Sequence, residues 1–284
     1  MSPADNVFRG QGWGPDRKPA AVSFTFDNMG EAAELEMGAW PADQEVGHHY
    51  SARQVIPALL ERLKGRLTAT FFVEGWNTEI YPETILAIAA AGHEIGLHGW
   101  RHETWKKQDE LTQRTVISRG LAAMRSLGVE PKGFRPPGGE STPLLRELMR
   151  AEKMSYFSDV GFGASVDDDL VRLPFAWRAV DGVFLEPELA NAVGVSGADQ
   201  TGIDALLRNF KATMLEAKET GDHVALIFHP FLLGKDPARV DALFELIEFA
   251  RSDSDLWVSC CREVADWLLS INAVSSAESS KHAY

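Results

Sequence analysis

Two histidines stand four residues apart in His98-Gly99-Trp100-Arg101-His102. On a helical turn that spacing points both imidazoles the same way. Two ring nitrogens and one oxygen ligand suit Zn²⁺ or a similar divalent ion and leave coordination positions for water and substrate. Taken alone, the pair is a weak signal and reads more simply as surface or core-edge histidines. The acid-amide pair Asp27-Asn28, closing a different apolar run, supplies the missing oxygen and favours the metal.

Other reactive side chains stand in comparable places: Arg135 before Pro136-Pro137-Gly138-Gly139, Asp159 after an aromatic run, and His229 before Pro230. Asp27, Arg135 and His229 have plainer readings. Asp27 caps a turn, Arg135 anchors a rigid one, and His229 is a buried histidine bonded to backbone. Those readings leave the shared placement unexplained.

That placement concerns the elements that carry the residues. Short β-branched or aromatic runs predict strands at Ala21–Phe26, Ala69–Val73, Glu94–Leu97, Gly133–Phe134, Ser155–Phe157, Val171–Leu173 and Val224–Phe228. Apolar residues at three and four spacing predict helices over Ser51–Lys64, Tyr81–Ala91, Glu110–Leu127, Pro143–Ala151, Ile203–Thr220, Ala238–Ser252 and Glu263–Leu269. Alternating strands and helices predict an α/β fold with a mostly parallel sheet, closed as a barrel or open and doubly wound. Asp27, Glu74, His98, Arg135, Ser158 with Asp159, and His229 each follow a strand directly. A barrel of about seven parallel strands gathers such ends on one face, which favours the closed form.

Composition sets the outer bounds. The chain has 284 residues, 45% of them apolar and 24% charged, as in a folded globular protein. Lys and Arg number 28 against 41 Asp and Glu, a net charge of −13, which argues against nucleic acid and anionic membranes as partners. No apolar run is long enough to span a bilayer. The N-terminal residues lack a basic stretch followed by an apolar one, so a cytoplasmic location is expected. Cys260 and Cys261 are neighbours, poorly placed for a disulfide, and are expected to be reduced. The expected organisation is an N-terminal arm (1–19), one barrel domain (20–270) and a C-terminal tail (271–284).

The motifs together resemble the polysaccharide deacetylase family, carbohydrate esterase family 4. Its five short motifs lie in order on a distorted β/α barrel. They correspond here to Thr25-Phe26-Asp27-Asn28, His98-Gly99-Trp100-Arg101-His102, Arg135-Pro136-Pro137-Gly138-Gly139, a loosely placed fourth at Asp159, and Leu226-Ile227-Phe228-His229. The resemblance implies that Asp27 is the general base, that Arg135 orients it, and that His229 is the general acid tuned by Asp159. It implies His98, His102 and Asn28 as ligands of a divalent metal, most simply zinc. Asn28 stands where the family usually has a second Asp, which implies a weakly held ion. Gly99 replaces the usual Ser or Thr, and Gly138 replaces an aromatic.

The implied activity is hydrolysis of non-peptide C–N bonds, foremost N-deacetylation of an amino sugar or glycan. The alternatives are a small cyclic imide or ureide as substrate, as in an intracellular branch of the family, or a non-catalytic carbohydrate-binding barrel. The branch implies a homo-oligomer, with Trp13, Trp40 and Trp105 as interface candidates. The segment Met29–Ser51 is expected to roof the pocket.

Overall fold

A computed structural model of the chain describes residues 11–194 and 201–281. The chain opens with β1 (Ala20–Asp27), α1 (Ala32–Glu36) and a π-helical turn, Ser51–Val55, running into α2 (Ile56–Leu63). β2 (Thr70–Val73), α3 (Asn77–Ile80), α4 (Pro82–Ala90), β3 (Glu94–Leu97), α5 (Glu110–Ser126), β4 (Gly133–Phe134), α6 (Pro143–Ala151) and β5 (Tyr156–Phe157) follow. Next come β6 (Ser165–Asp167), β7 (Leu170–Arg172), α7 (Asp181–Leu185), α8 (Pro187–Ala192) and α9 (Ile203–Thr220). The chain ends with β8 (His223–Phe228), α10 (Pro230–Leu233), α11 (Pro237–Ser252), β9 (Leu256–Val258) and α12 (Cys261–Lys281). Proline opens α4, α6, α8, α10 and α11, where its missing N–H costs nothing.

The strands form one sheet in the order β6-β7-β5-β4-β3-β2-β1-β8, with β9 also on β1. Every pairing is parallel except the β6–β7 hairpin. A parallel bridge between Val180 and Ile227 brings the chain after β7 back to β8 and curls the sheet into a partial barrel. This is the expected α/β architecture, with an antiparallel edge added.

All residues of β1 are buried, as befits a strand flanked on both sides within a parallel sheet. Val22, Phe24 and Phe26 face outward into the main core beneath the helices. The two-residue period turns Ser23, Thr25 and Asp27 inward instead. Thr25 Oγ1 donates to the Leu226 carbonyl (3.1 Å) and Ser23 Oγ meets His223 Nε2 at 2.9 Å. The barrel floor is polar and largely hydrogen-bonded, though His223 Nδ1 is buried without a partner. The buried Glu94 accepts Tyr156 Oη (2.8 Å), Thr70 Oγ1 (2.7 Å) and the Arg262 N–H (2.8 Å) at the start of α12. Gly133 makes room for that floor, since a Cβ there would lie 2.0 Å from the Tyr156 ring.

Several expectations change. Trp13 and Trp105 are 2% and 0% exposed, so both are core residues and not interface candidates. Trp13 ties the segment before β1 to the barrel by donating from its indole to the Gly221 carbonyl (2.9 Å). Residues 1–10 of the expected arm lie outside the described residues. Of the expected tail, 271–281 continue α12, and 282–284 lie outside the description. Cys260 and Cys261 are free and buried, and burial pushes the Cys261 thiol up to about 12. Among the described residues no helix is long and apolar enough to cross a membrane.

Candidate active site

Asp27 is the last residue of β1, and Arg135 directly follows β4. Arg135 Nη1 donates to Asp27 Oδ1 at 2.7 Å and to Thr25 Oγ1 at 2.8 Å. Its Nη2 and Nε donate to Ser158 Oγ at 3.0 and 3.3 Å. The guanidinium also lies 4.1 Å from the Phe72 ring centroid. At 1% exposure, a cation needs this full set of partners. Asp27 is thereby fixed with one oxygen committed to Arg135.

The same arginine sets the first histidine. His98 Nδ1–H donates to the Arg135 carbonyl (2.8 Å), which leaves the Nε2 lone pair free. His102 packs edge-on at 4.9 Å between ring centroids. The two rings meet without a helical turn: Gly99 (φ +77°) and His102 (φ +74°) bend the chain through left-handed conformations. Burial, reinforced by neighbouring positive charge, pushes both imidazoles down to about 3, so both are neutral.

Asn28 also adopts a left-handed conformation (φ +62°). Its Oδ1 is buried without a hydrogen-bond partner. Such an atom is costly unless a ligand satisfies it. Asn28, His98 and His102 line one cavity of about 370 Å³ together with Asp27, Arg135 and His229. Among the described residues no group of three or more His, Cys, Asp or Glu is arranged for a metal. The available donor set is therefore two neutral imidazoles and one amide oxygen, which fits a divalent ion held without charge neutralisation.

His229 directly follows β8, the strand paired with β1. Its Nδ1 lies 2.6 Å from Asp181 Oδ1, and its backbone N–H donates to Asp181 Oδ2 at 2.8 Å. Asp181 is 0% exposed. Burial pulls the His229 imidazole down, but the Asp181 carboxylate, helped by Asp27, outweighs it and the net shift is upward.

This corrects the expected role of Asp159. Its carboxylate is occupied by Arg172 Nε (2.7 Å) and Ser141 Oγ (2.6 Å). β5 lies several strands away from β8 in the sheet, whereas the Val180–Ile227 bridge carries Asp181 directly alongside His229. Asp159 instead ties the loop after Arg135 to β7. No spacing motif marks Asp181; its one cue is an acid ending the apolar run Ala179-Val180.

The roof also differs from expectation. Phe175, Trp177, Leu189 and Phe231 wall the cavity, with Glu186 and Glu188 at its lining. The segment Met29–Ser51 contributes no lining beyond its junction with Asn28. Tyr81 Oη donates to Glu31 Oε2 (2.5 Å), Gly47 N–H to Glu31 Oε1 (2.6 Å) and His49 N–H to Tyr81 Oη (2.9 Å), which hold it against α4.

A sequence model of the polysaccharide deacetylase family matches residues 15–157. The chain belongs to the polysaccharide deacetylase family. The matched region carries Asp27, Asn28, both histidines and Arg135, while His229 and Asp181 lie beyond it. A peptidoglycan-N-acetylglucosamine deacetylase of Bacillus cereus is 38% identical over 86 residues, 30% of this chain and 31% of that protein. The chain therefore matches about a third of this relative's length. A structure from Mycobacterium smegmatis assigned to the polysaccharide deacetylases superposes with a TM-score of 0.78 at 29% identity, covering 91% of this chain and 93% of the other. The allantoinase PuuE superposes at 0.72 with 21% identity, covering 94% and 97%. That second likeness concerns the polysaccharide deacetylase fold alone.

Proposed function

We propose that this chain hydrolyses non-peptide amide bonds, foremost the N-acetyl group of an amino sugar or glycan. The observation that carries the reading is the placing of Asp27 and His229 in one cavity, each held by its own buried partner of opposite charge. Arg135 keeps Asp27 oriented to take a proton from water. His229, its Nδ1–H bonded to Asp181, holds a proton on Nε2 for the departing nitrogen. Gly138 lines the cavity, and its backbone N–H would serve the developing oxyanion. His98, His102 and Asn28 would hold a divalent ion, most simply zinc, which polarises the carbonyl and acidifies water when bound. The match to a peptidoglycan-N-acetylglucosamine deacetylase supports the sugar substrate.

A second reading, a small cyclic imide or ureide, draws on the cavity walls. Phe175, Trp177, Leu189 and Phe231 enclose a compact apolar space suited to a small ring. Purified, zinc-loaded protein offered N-acetylated sugar oligomers and cyclic imides in parallel separates the two. Acetate release from the sugars supports the first reading, and ring opening without acetate release replaces it with the second. Sugar affinity without turnover under any metal would instead support a binding barrel. A cytoplasmic location and self-association belong to the same proposal, and cell fractionation and sedimentation test them.

A further inference from the structure

Two of the three candidate ligands sit on backbone that L-residues rarely adopt: Asn28 at φ +62° and His102 at φ +74°. Such conformations persist only where surrounding contacts impose them. In each case a glutamate outside the ligand set makes those contacts.

Behind Asn28, the next residue is held at both its N–H and its carbonyl. Glu74 Oε2 accepts the Met29 N–H at 3.1 Å, and Asn77 Nδ2 donates to the Met29 carbonyl at 2.8 Å. The two side chains are joined, Asn77 Nδ2 to Glu74 Oε2, at 2.9 Å. Both are 0% exposed, so the grip is rigid and shielded from water. Beside His102, Glu103 folds back over its own loop. Oε2 accepts the Trp100 N–H at 2.9 Å and Oε1 accepts the Arg101 N–H at 3.0 Å. The carboxylate fills the space beside Gly99, where a Cβ would lie 3.0 Å from Glu103 Oε2 and 3.0 Å from Pro137 Cγ. Gly99 at φ +77° thus lacks both room and a permissive backbone for a side chain.

We infer that Glu74 and Glu103 are positioning residues that fix the Asn28 and His102 loops in the geometry presented to a divalent cation. The inference rests on the metal reading of those ligands. The two braces differ in chemistry. Glu74 uses one oxygen for both of its bonds, so an amide can replace it with its carbonyl. Glu103 uses one oxygen for each N–H, so an amide must lose one bond, because its NH₂ cannot accept.

The test measures zinc affinity by chelator competition and backbone amide exchange on the full chain, comparing Glu74→Gln, Glu74→Leu, Glu103→Gln and Glu103→Ala. Glu103→Ala raises exchange at Trp100 and Arg101 by about tenfold or more and weakens zinc about 10- to 100-fold, as for other residues that orient ligands. Glu103→Gln falls between it and wild type. Glu74→Gln keeps zinc affinity within about twofold, whereas Glu74→Leu weakens zinc and exposes the Met29 amide. Should Glu74→Leu fail to fold, the Glu103 pair decides. Wild-type exchange or wild-type zinc affinity in Glu103→Ala overturns the inference. A wild-type protein that binds no zinc defeats the metal reading instead, and the exchange data then judge the bracing separately.

Discussion

Asp181 holds His229 at two points, with one carboxylate oxygen 2.6 Å from the ring Nδ1 and the other accepting the backbone N–H at 2.8 Å. The contact fixes the ring, its tautomer and its charge together. A histidine that must deliver a proton needs all three.

Asp181→Asn removes the charge that holds the His229 imidazole up, so burial then dominates and its pKa falls. Because the protonated form is the reactive one, the alkaline limb of the kcat/KM profile moves to lower pH. On that alkaline limb the rate drops by up to about tenfold for each unit the limb moves. An unmoved alkaline limb would show that His229 is not the acid.

Arg135 and Asp27 form a pair whose side chains are 1% and 6% exposed. Arg135→Ala leaves Asp27 as a buried, uncompensated anion and is expected to cost about 3–5 kcal/mol of stability. It also frees the Asp27 carboxylate, so activity falls further than unfolding explains. Thermal melts alongside rates measured well below the melting temperature check this, and wild-type rates in a destabilised variant would contradict the orienting role.

The neutral donor set predicts a cation that leaves easily. Activity is expected to be lost on chelation and restored by added Zn²⁺ or Co²⁺. Asn28→Asp adds a negative charge at the ligand oxygen and tightens zinc without necessarily raising kcat. His98→Ala removes zinc and activity together. Wild-type turnover in His98→Ala, or after exhaustive chelation, would rule the metal out of the reaction.

Glu74 gives a stability test. Burial pushes its carboxyl up to about 8, with Asp27 and Glu103 adding to the shift and the Met29 N–H opposing it. In the unfolded chain it titrates near 4.3. Between those values the folded chain holds the extra proton, so stability from this group is complete below about pH 4 and is lost as pH rises toward about 8. Glu74→Gln removes that slope, so its melting temperature gains on wild type as pH increases from about 5 to about 8. A difference constant over this range would contradict the raised carboxyl.

The sequence made the rim of the barrel legible because strand signals are local. Asp27 ends its strand, His98 and Arg135 directly follow theirs, and a parallel sheet brings such ends to one face. Asp181 was illegible for the opposite reason. It opens the short helix α7 after an irregular stretch from β7 and reaches His229 beside a single bridge, Val180 to Ile227. Asp159 looked the better candidate because it ends a strand, but Arg172 from the neighbouring strand claims it. The four-residue histidine spacing matches a helical turn, whereas left-handed residues bring the rings together. The roof from Trp177 to Leu189 and the burial of Trp13 and Trp105 depend on long-range packing that no local period reports.

The central claim is that Asp27 and His229 share the acid-base work of amide hydrolysis in this cavity. Acetate release from an N-acetylglucosamine oligomer by zinc-loaded wild type, Asp27→Asn and His229→Ala tests it most directly, with zinc content measured in each. Wild type is expected to release acetate, and Asp27→Asn and His229→Ala to lose about 10²- to 10⁴-fold in rate while still binding zinc. Undiminished acetate release by either variant, or none from wild type, would contradict the account.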